Sequence, residues 1–126
     1  MRILIVDDFS TMRTIAKNLL TDIGYDNLIE AESGPTALRI LAVETVDLVI
    51  LDWNMPDMSG LEVAQAIRGD EDLAGLPVLM VTAEARRDQI ISAIDAGVDD
   101  YMLKPFSAET LSAKIDKVLA AHAAAA

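Results

Sequence analysis

The chain contains no cysteine, which removes disulfides, thiolate metal sites and cysteine nucleophiles together. It carries a single histidine, His122, in an alanine-rich terminal stretch. With no positioned partner nearby in sequence, that residue is a poor candidate for proton or phosphoryl transfer. Basic residues are scarce, 10 against 21 acidic, for a net charge of −11. A surface so poor in positive charge argues against nucleic acid or an anionic membrane as a direct partner. No apolar run approaches the length of a membrane span, and the N-terminus lacks a signal-peptide pattern. With the missing cysteines, this favours the cytoplasm. Hydrophobic residues make up 52% of 126 residues, which excludes disorder and suits one domain with a real core.

Short runs of branched aliphatic residues organise what is present. Ile3-Leu4-Ile5-Val6, Leu48-Val49-Ile50-Leu51 and Val78-Leu79-Met80-Val81 read as strands buried on both faces, the signature of a parallel sheet. Weaker strands are expected around Leu28-Ile29 and at Tyr101-Met102-Leu103. Helical patterns alternate with them. Met12, Ile15, Ala16, Leu19, Leu20 and Ile23 follow one helix face, with Ser10 expected to cap it and Gly24 to stop it. Ser33-Gly34-Pro35 opens a second helix, and Ser59 and Glu62 have capping-box spacing for a third. Ile90, Ile91 and Ile94 supply the expected apolar stripe of a fourth, ended by Gly97. Ser107 caps a fifth, carrying Leu111, Ile115, Val118 and Leu119. Alternating β and α implies a doubly wound (βα)5 fold of three layers, α/β with a parallel five-stranded sheet. We expect one domain over residues 1–121 and a frayed alanine tail over 122–126.

The polar residues just past the strands carry the chemistry. Asp7 and Asp8 follow the first strand, Asp52 closes the third, Thr82 the fourth, and Lys104 follows the fifth. Ligands of open parallel sheets bind beyond the carboxyl ends of the strands, so all five would meet on one rim. Hard oxygen ligands at two strand ends suit Mg²⁺. Lys104 offers a point charge and Thr82 a hydroxyl to phosphoryl oxygens, and Asp52 is the natural nucleophile because aspartyl carboxylates form acyl phosphates. Phosphoryl transfer asks mainly for positioning and charge stabilisation, which this set provides without a general-base histidine. Each element alone is a weak signal; four strand ends coinciding is specific. The other acidic runs, Asp70-Glu71-Asp72 and Asp99-Asp100, read as solvated surface.

Asp7-Asp8, Leu51-Asp52-Trp53-Asn54-Met55-Pro56, Val81-Thr82-Ala83 and Lys104-Pro105-Phe106 together resemble the receiver domain of two-component response regulators, over essentially the whole chain bar its tail. Within the family the likeness is greatest to the CheY-like chemotaxis receivers. The resemblance implies the flavodoxin-like strand order 2-1-3-4-5. It implies that Asp52 accepts a phosphoryl group from a histidine kinase, that Asp8, Asp52 and the backbone carbonyl of Asn54 ligate Mg²⁺ with Asp7 acting through water, and that Thr82 and Lys104 bind phosphoryl oxygens. Asn54 and Glu84, bordering the site, would tune the lifetime of the acyl phosphate.

Tyr101 would be the switch aromatic, turning inward when Thr82 is drawn to the phosphate. Ala85, Arg87, Ile90, Tyr101, Leu103, Phe106 and Lys114 match positions that in such receivers take a flagellar motor-switch peptide. Asp99 and Asp100 are more acidic than expected just before a switch tyrosine, which bears on the identity of the partner. The expected role is therefore a monomeric signalling receiver that acts by protein binding and serves as phosphoacceptor rather than enzyme, with a phosphatase as a further candidate partner. A phosphorelay intermediate or phosphate sink is the alternative within the class. A Mg²⁺-dependent aspartyl-phosphate phosphohydrolase is the alternative outside it, although such enzymes carry Asp-x-Asp where this chain has Asp7-Asp8-Phe9. A flavodoxin-like FMN carrier shares the fold, but two aspartates in its phosphate loop would repel the ligand.

Overall fold

A computed structural model describes residues 1–84 and 86–125. Five strands alternate with five helices: β1 (Arg2–Val6), α1 (Ser10–Asp22), β2 (Asn27–Ala31), α2 (Gly34–Val43), β3 (Leu48–Asp52), α3 (Gly60–Gly69), β4 (Val78–Thr82), α4 (Arg87–Asp95), β5 (Asp100–Leu103) and α5 (Ala108–Ala125). All neighbouring strands pair in parallel, in the order β2-β1-β3-β4-β5. That is the flavodoxin-like order the resemblance implied, and it puts every strand's carboxyl end on one rim.

The aliphatic runs explain the layering. Successive side chains of a strand point to opposite faces, so a run without polar gaps must be covered on both. Leu4, Val6, Val49, Leu51, Val78 and Met80 meet α2, α3 and α4 on one side. Ile3, Ile5, Leu48, Ile50, Leu79 and Val81 meet α1 and α5 on the other. β3 and β4 are buried throughout, whereas β2 and β5, at the edges, are only partly so.

The helix ends follow the sequence in most places. Ser33 accepts from the Thr36 N–H with Pro35 in the first turn, and Ser59 and Glu62 form a complete capping box. The Thr110 N–H donates to Ser107 Oγ, and Gly24 and Gly97 take the left-handed conformations (φ 105° and 89°) that end α1 and α4.

Four expectations need correction. Ser10 is the first residue of α1 rather than its cap: Phe9 occupies the cap position with no side-chain bond, and the Asp7 carboxylate takes the Phe9 N–H at 2.9 Å. On α1, Ile15 is exposed, and the buried contacts come from Ala16 and Leu20. On α4, Ile91 and Ile94 are 49% and 64% exposed while Ala93 is buried, so small residues let the helix approach the sheet and the isoleucines face outward. Asp99 and Asp100 are not simply solvated, since both carboxylates are engaged by side chains and backbone N–H groups, as described below. In addition, α5 continues through His122 to Ala125, in keeping with the helix propensity of alanine. Among the described residues, no helix is long and apolar enough to cross a membrane.

Candidate functional site

Four strand ends bring the predicted residues together. The Asp7 N–H donates to the Ala31 carbonyl at 3.1 Å, so β1 stays paired right up to its acidic end. Asp52 closes β3 and is only 5% exposed. Thr82 closes β4, and the Lys104 N–H reaches its carbonyl at 2.8 Å, which sets the lysine just past β5. From there Lys104 Nζ donates to Asp52 Oδ1 at 2.8 Å and to Asp7 Oδ2 at 3.1 Å. Asp8 is exposed, yet its carboxylate joins those of Asp7 and Asp52 in a group whose oxygens lie within 4.8 Å of one another.

Two supports were not read from the sequence. Gly60 starts α3 against the end of β3, where its N–H donates to the Trp53 carbonyl at 2.9 Å. A Cβ at Gly60 would collide with the Asp52 carbonyl oxygen, so only glycine lets the helix begin this close. The signal was present: a glycine directly after a capping serine is a weak helix former and asks for a packing reason. Arg13, on α1, donates to the Asp7 carbonyl at 2.7 Å and pairs with Glu30, which steadies the acidic turn from outside. Nothing in the spacing of Arg13 announces that contact.

The electrostatics are strained in one direction. Burial, together with Asp7 and Asp8, raises the pKa of Asp52 above the ordinary carboxylate value, against the hydrogen bond from Lys104, which lowers it. Burial alone would lower the pKa of Lys104, but the bonds it donates to Asp52 and Asp7 outweigh that and raise it. The asymmetry follows from the count of charges. The lysine faces two anions, whereas Asp52 faces one cation and two anions.

Thr82 is buried, and its hydroxyl is engaged by the following loop rather than by Asp52. Oγ1 donates to the Glu84 carbonyl at 3.0 Å, and the Glu84 N–H reaches it at 3.3 Å. Turning the hydroxyl toward Asp52 would break that reciprocal pair. Asn54 is exposed on the loop after β3.

The expected partner face divides. Arg87 is exposed at the start of α4, and Leu103 is 46% exposed on β5. Phe106 is half-buried against the core on the α1–α5 side, and Ile90 is half-buried as well. Tyr101, Leu103, Pro105, Phe106 and Lys114 line one open groove. Lys114 is not a free base, because Asp100 accepts from it at 3.1 and 3.2 Å. Ala85 lies outside the described residues.

A model of the response regulator receiver domain matches residues 3–116. The chain belongs to the response-regulator receiver family. It is 58% identical over 118 residues to the chemotaxis protein CheY of Pseudomonas aeruginosa, covering 94% of this chain and 95% of that protein. It is equally similar to CheY-3 of Vibrio cholerae, over 94% and 91% of the two chains. Among solved structures, Vibrio cholerae CheY4 superposes with a TM-score of 0.87 at 32% identity, covering 93% of this chain and 97% of that one. A CheY-like receiver from Methanospirillum hungatei gives 0.88 at 29%, covering 99% and 98%. This receiver thus shares its architecture with relatives of low identity, and with the CheY proteins most of its length in sequence.

Proposed function

We propose that this receiver takes a phosphoryl group onto Asp52 from a phosphohistidine kinase and uses the adduct to change the face formed by α4, β5 and α5. The observation that carries the reading is Lys104 Nζ bridging the buried Asp52 and Asp7 in a cluster that also gathers the exposed Asp8. Three carboxylates and one lysine leave an excess of negative charge that a divalent cation would relieve, so the donor set fits Mg²⁺. When bound, Mg²⁺ would be held by Asp8, Asp52 and the Asn54 carbonyl, with Asp7 reaching it through water, and would neutralise the charge of the incoming phosphoryl group.

The chain's own residues do the rest. An Asp52 carboxylate oxygen attacks phosphorus and forms the acyl phosphate C–O–P link. The phosphohistidine P–N bond breaks, and its electron pair stays with the departing imidazole, which is protonated on release. Lys104, already directed at Asp52, pairs with one phosphoryl oxygen, and Thr82 leaves the Glu84 carbonyl to donate to another. Because the phosphate attracts Thr82 in only one of its two positions, it biases a two-state element. Tyr101 and Thr82 border the same small cavity, so the ring can follow the hydroxyl inward.

Similarity to chemotaxis proteins supports a chemotaxis output, with a flagellar motor-switch protein as the reading partner. Intact-protein mass after brief exposure to acetyl phosphate, with and without Mg²⁺, tests the chemistry. A single phosphoryl adduct that requires Mg²⁺ and is absent from Asp52→Asn is expected. Adduct formation on that variant would move the acceptor elsewhere. Sustained turnover of a phosphate ester would favour the phosphohydrolase instead.

A further inference from the structure

Asp100 opens β5, and its side chain is nearly buried, with 9% exposed. It accepts from the Tyr101 N–H at 2.8 Å, from Lys114 Nζ at 3.1 and 3.2 Å, and from Lys117 Nζ at 3.2 Å. Lys114 in turn sits with its ammonium 5.3 Å from the centroid of the Tyr101 ring, within cation–π range. A free lysine has many rotamers and no reason to stay over one ring. The carboxylate supplies that reason. We propose that Asp100 is a positioning residue for the tyrosine: by anchoring Lys114 over the ring it holds Tyr101 in its present half-buried seat and thereby opposes occupation of the phosphoryl site. The proposal rests on the phosphoacceptor reading above.

What the anchor opposes is visible on the other side of the ring. There Tyr101, Thr82 and Gln89 line a cavity of about 10 Å³, room for one water at most. The buried Gln89 Oε1 has no hydrogen-bond partner among the described residues. A tyrosine hydroxyl can both donate and accept, so it could satisfy the inward end of that amide. The ring therefore lies between a charged clasp outside and an unmet polar group inside. Linkage makes the coupling reciprocal: as far as the outer seat weakens binding at Asp52, occupation of Asp52 must weaken the outer seat by the same factor. Asp100, directly before the tyrosine, then has a physical role, weighting the switch toward its resting position.

The test is calorimetric titration with beryllofluoride and Mg²⁺ of the whole chain, its Asp100→Asn, Lys114→Met and Lys117→Met variants, and the Asp100→Asn/Lys114→Met double. Asparagine can still accept from the Tyr101 N–H, so the strand end is preserved. Asp100→Asn and Lys114→Met should each bind about two- to fivefold tighter than the parent, the size of one cation–π contact. The double should gain no more than either single, and Lys117→Met should match the parent. The first two variants change net charge in opposite directions, so a shared gain cannot come from the overall field. Adding Tyr101→Leu to Asp100→Asn should erase the gain, which a merely structural role for Asp100 would not predict. Equal affinities in parent and Asp100→Asn, or additive gains in the double, would overturn the proposal alone. No beryllofluoride binding by the parent would overturn the phosphoacceptor reading, and this inference with it.

Discussion

Two acidic clusters lie at opposite ends of the same sheet and meet opposite fates. On the carboxyl rim, Asp7, Asp8 and Asp52 share one lysine, and the pKa of Asp52 is raised by burial and by its acidic neighbours. At the amino end of β5, Asp99 and Asp100 are met by more cations than they number. Asp99 bonds Arg68 at 3.1 Å, His122 at 2.7 Å and the Val78 N–H at 2.7 Å. Asp100 bonds Lys114 and Lys117. Burial pushes the pKa of Asp100 up, but its hydrogen bonds from the Tyr101 N–H and the two lysines prevail and lower it. The same residue type is thus satisfied at the amino end of the sheet and left wanting at the rim, where reaction is proposed. A site short of positive charge is ready for a cation; a site with enough of it is finished.

The largest expected effect breaks the satisfied end. Asp99→Ala strips the Val78 N–H of its acceptor at the buried start of β4 and removes the partner of Arg68 and His122. An orphaned buried N–H and a lost charged bond should together cost about 2–3 kcal/mol, read as a lower urea midpoint with an unchanged slope. Phosphorylation by acetyl phosphate should persist in the folded fraction. A loss below about 0.5 kcal/mol, the level of an ordinary surface change, would return Asp99 to the solvated role its sequence suggested.

Legibility from sequence divides along the same line. The rim was readable because the chemistry needs chemically distinctive residues at strand ends, and the strands announce themselves by uninterrupted aliphatic runs. Asp7, Asp52, Thr82 and Lys104 could be assigned to one edge before any contact was known. The far end was unreadable because its contacts join residues remote in sequence. Arg68 reaches Gly97, Ala74, Leu76 and Asp99, and nothing in their spacing marks them as a set. The misreading of α4 has a different cause. Periodicity identifies an apolar stripe, but it does not say whether the stripe or the small residues beside it face the sheet. Here Ala93 and Ala96 face inward, and Ile91 and Ile94 do not.

A smaller effect of opposite sign is expected at the unsatisfied end. Asp52→Asn removes one of three crowded carboxylates while Lys104 keeps Asp7, so the variant should be more stable at pH 7, by about 1 kcal/mol. The sign with pH follows from linkage. The folded-state pKa of Asp52 is raised from 3.8, so between that value and the raised one the folded chain holds more protons than the unfolded chain. Its contribution to stability therefore falls as pH rises through that window, and the advantage of Asp52→Asn should shrink as pH falls back toward 3.8. Asp100 behaves the other way: its pKa is lowered, so its contribution is present above the unfolded value and is lost as pH falls through the folded one. Melting temperatures of the parent, Asp52→Asn and Asp100→Asn across the acid range should therefore diverge in opposite directions. Parallel curves for the two variants would erase the contrast between the clusters.

The finest test concerns the backbone. Among the described non-glycine residues only Asp57 has positive φ, at 66°, and it lies in the loop between Asp52 and α3, on the carboxyl rim. A left-handed residue with a Cβ costs free energy that glycine avoids, although glycine also gains freedom in the unfolded chain. The two effects nearly cancel, leaving Asp57→Gly an expected gain of about 0.5 kcal/mol. Because the loop carries Asn54 past the acidic cluster, the more informative reading is the Mg²⁺ dependence of phosphorylation. If the left-handed turn serves to hold the Asn54 carbonyl toward the cluster, glycine should stabilise the fold while raising the Mg²⁺ concentration needed for half-maximal adduct. A stability gain with unchanged Mg²⁺ dependence would mean that the conformation serves the turn alone, and that the strain of the rim resides in its charges rather than in its backbone.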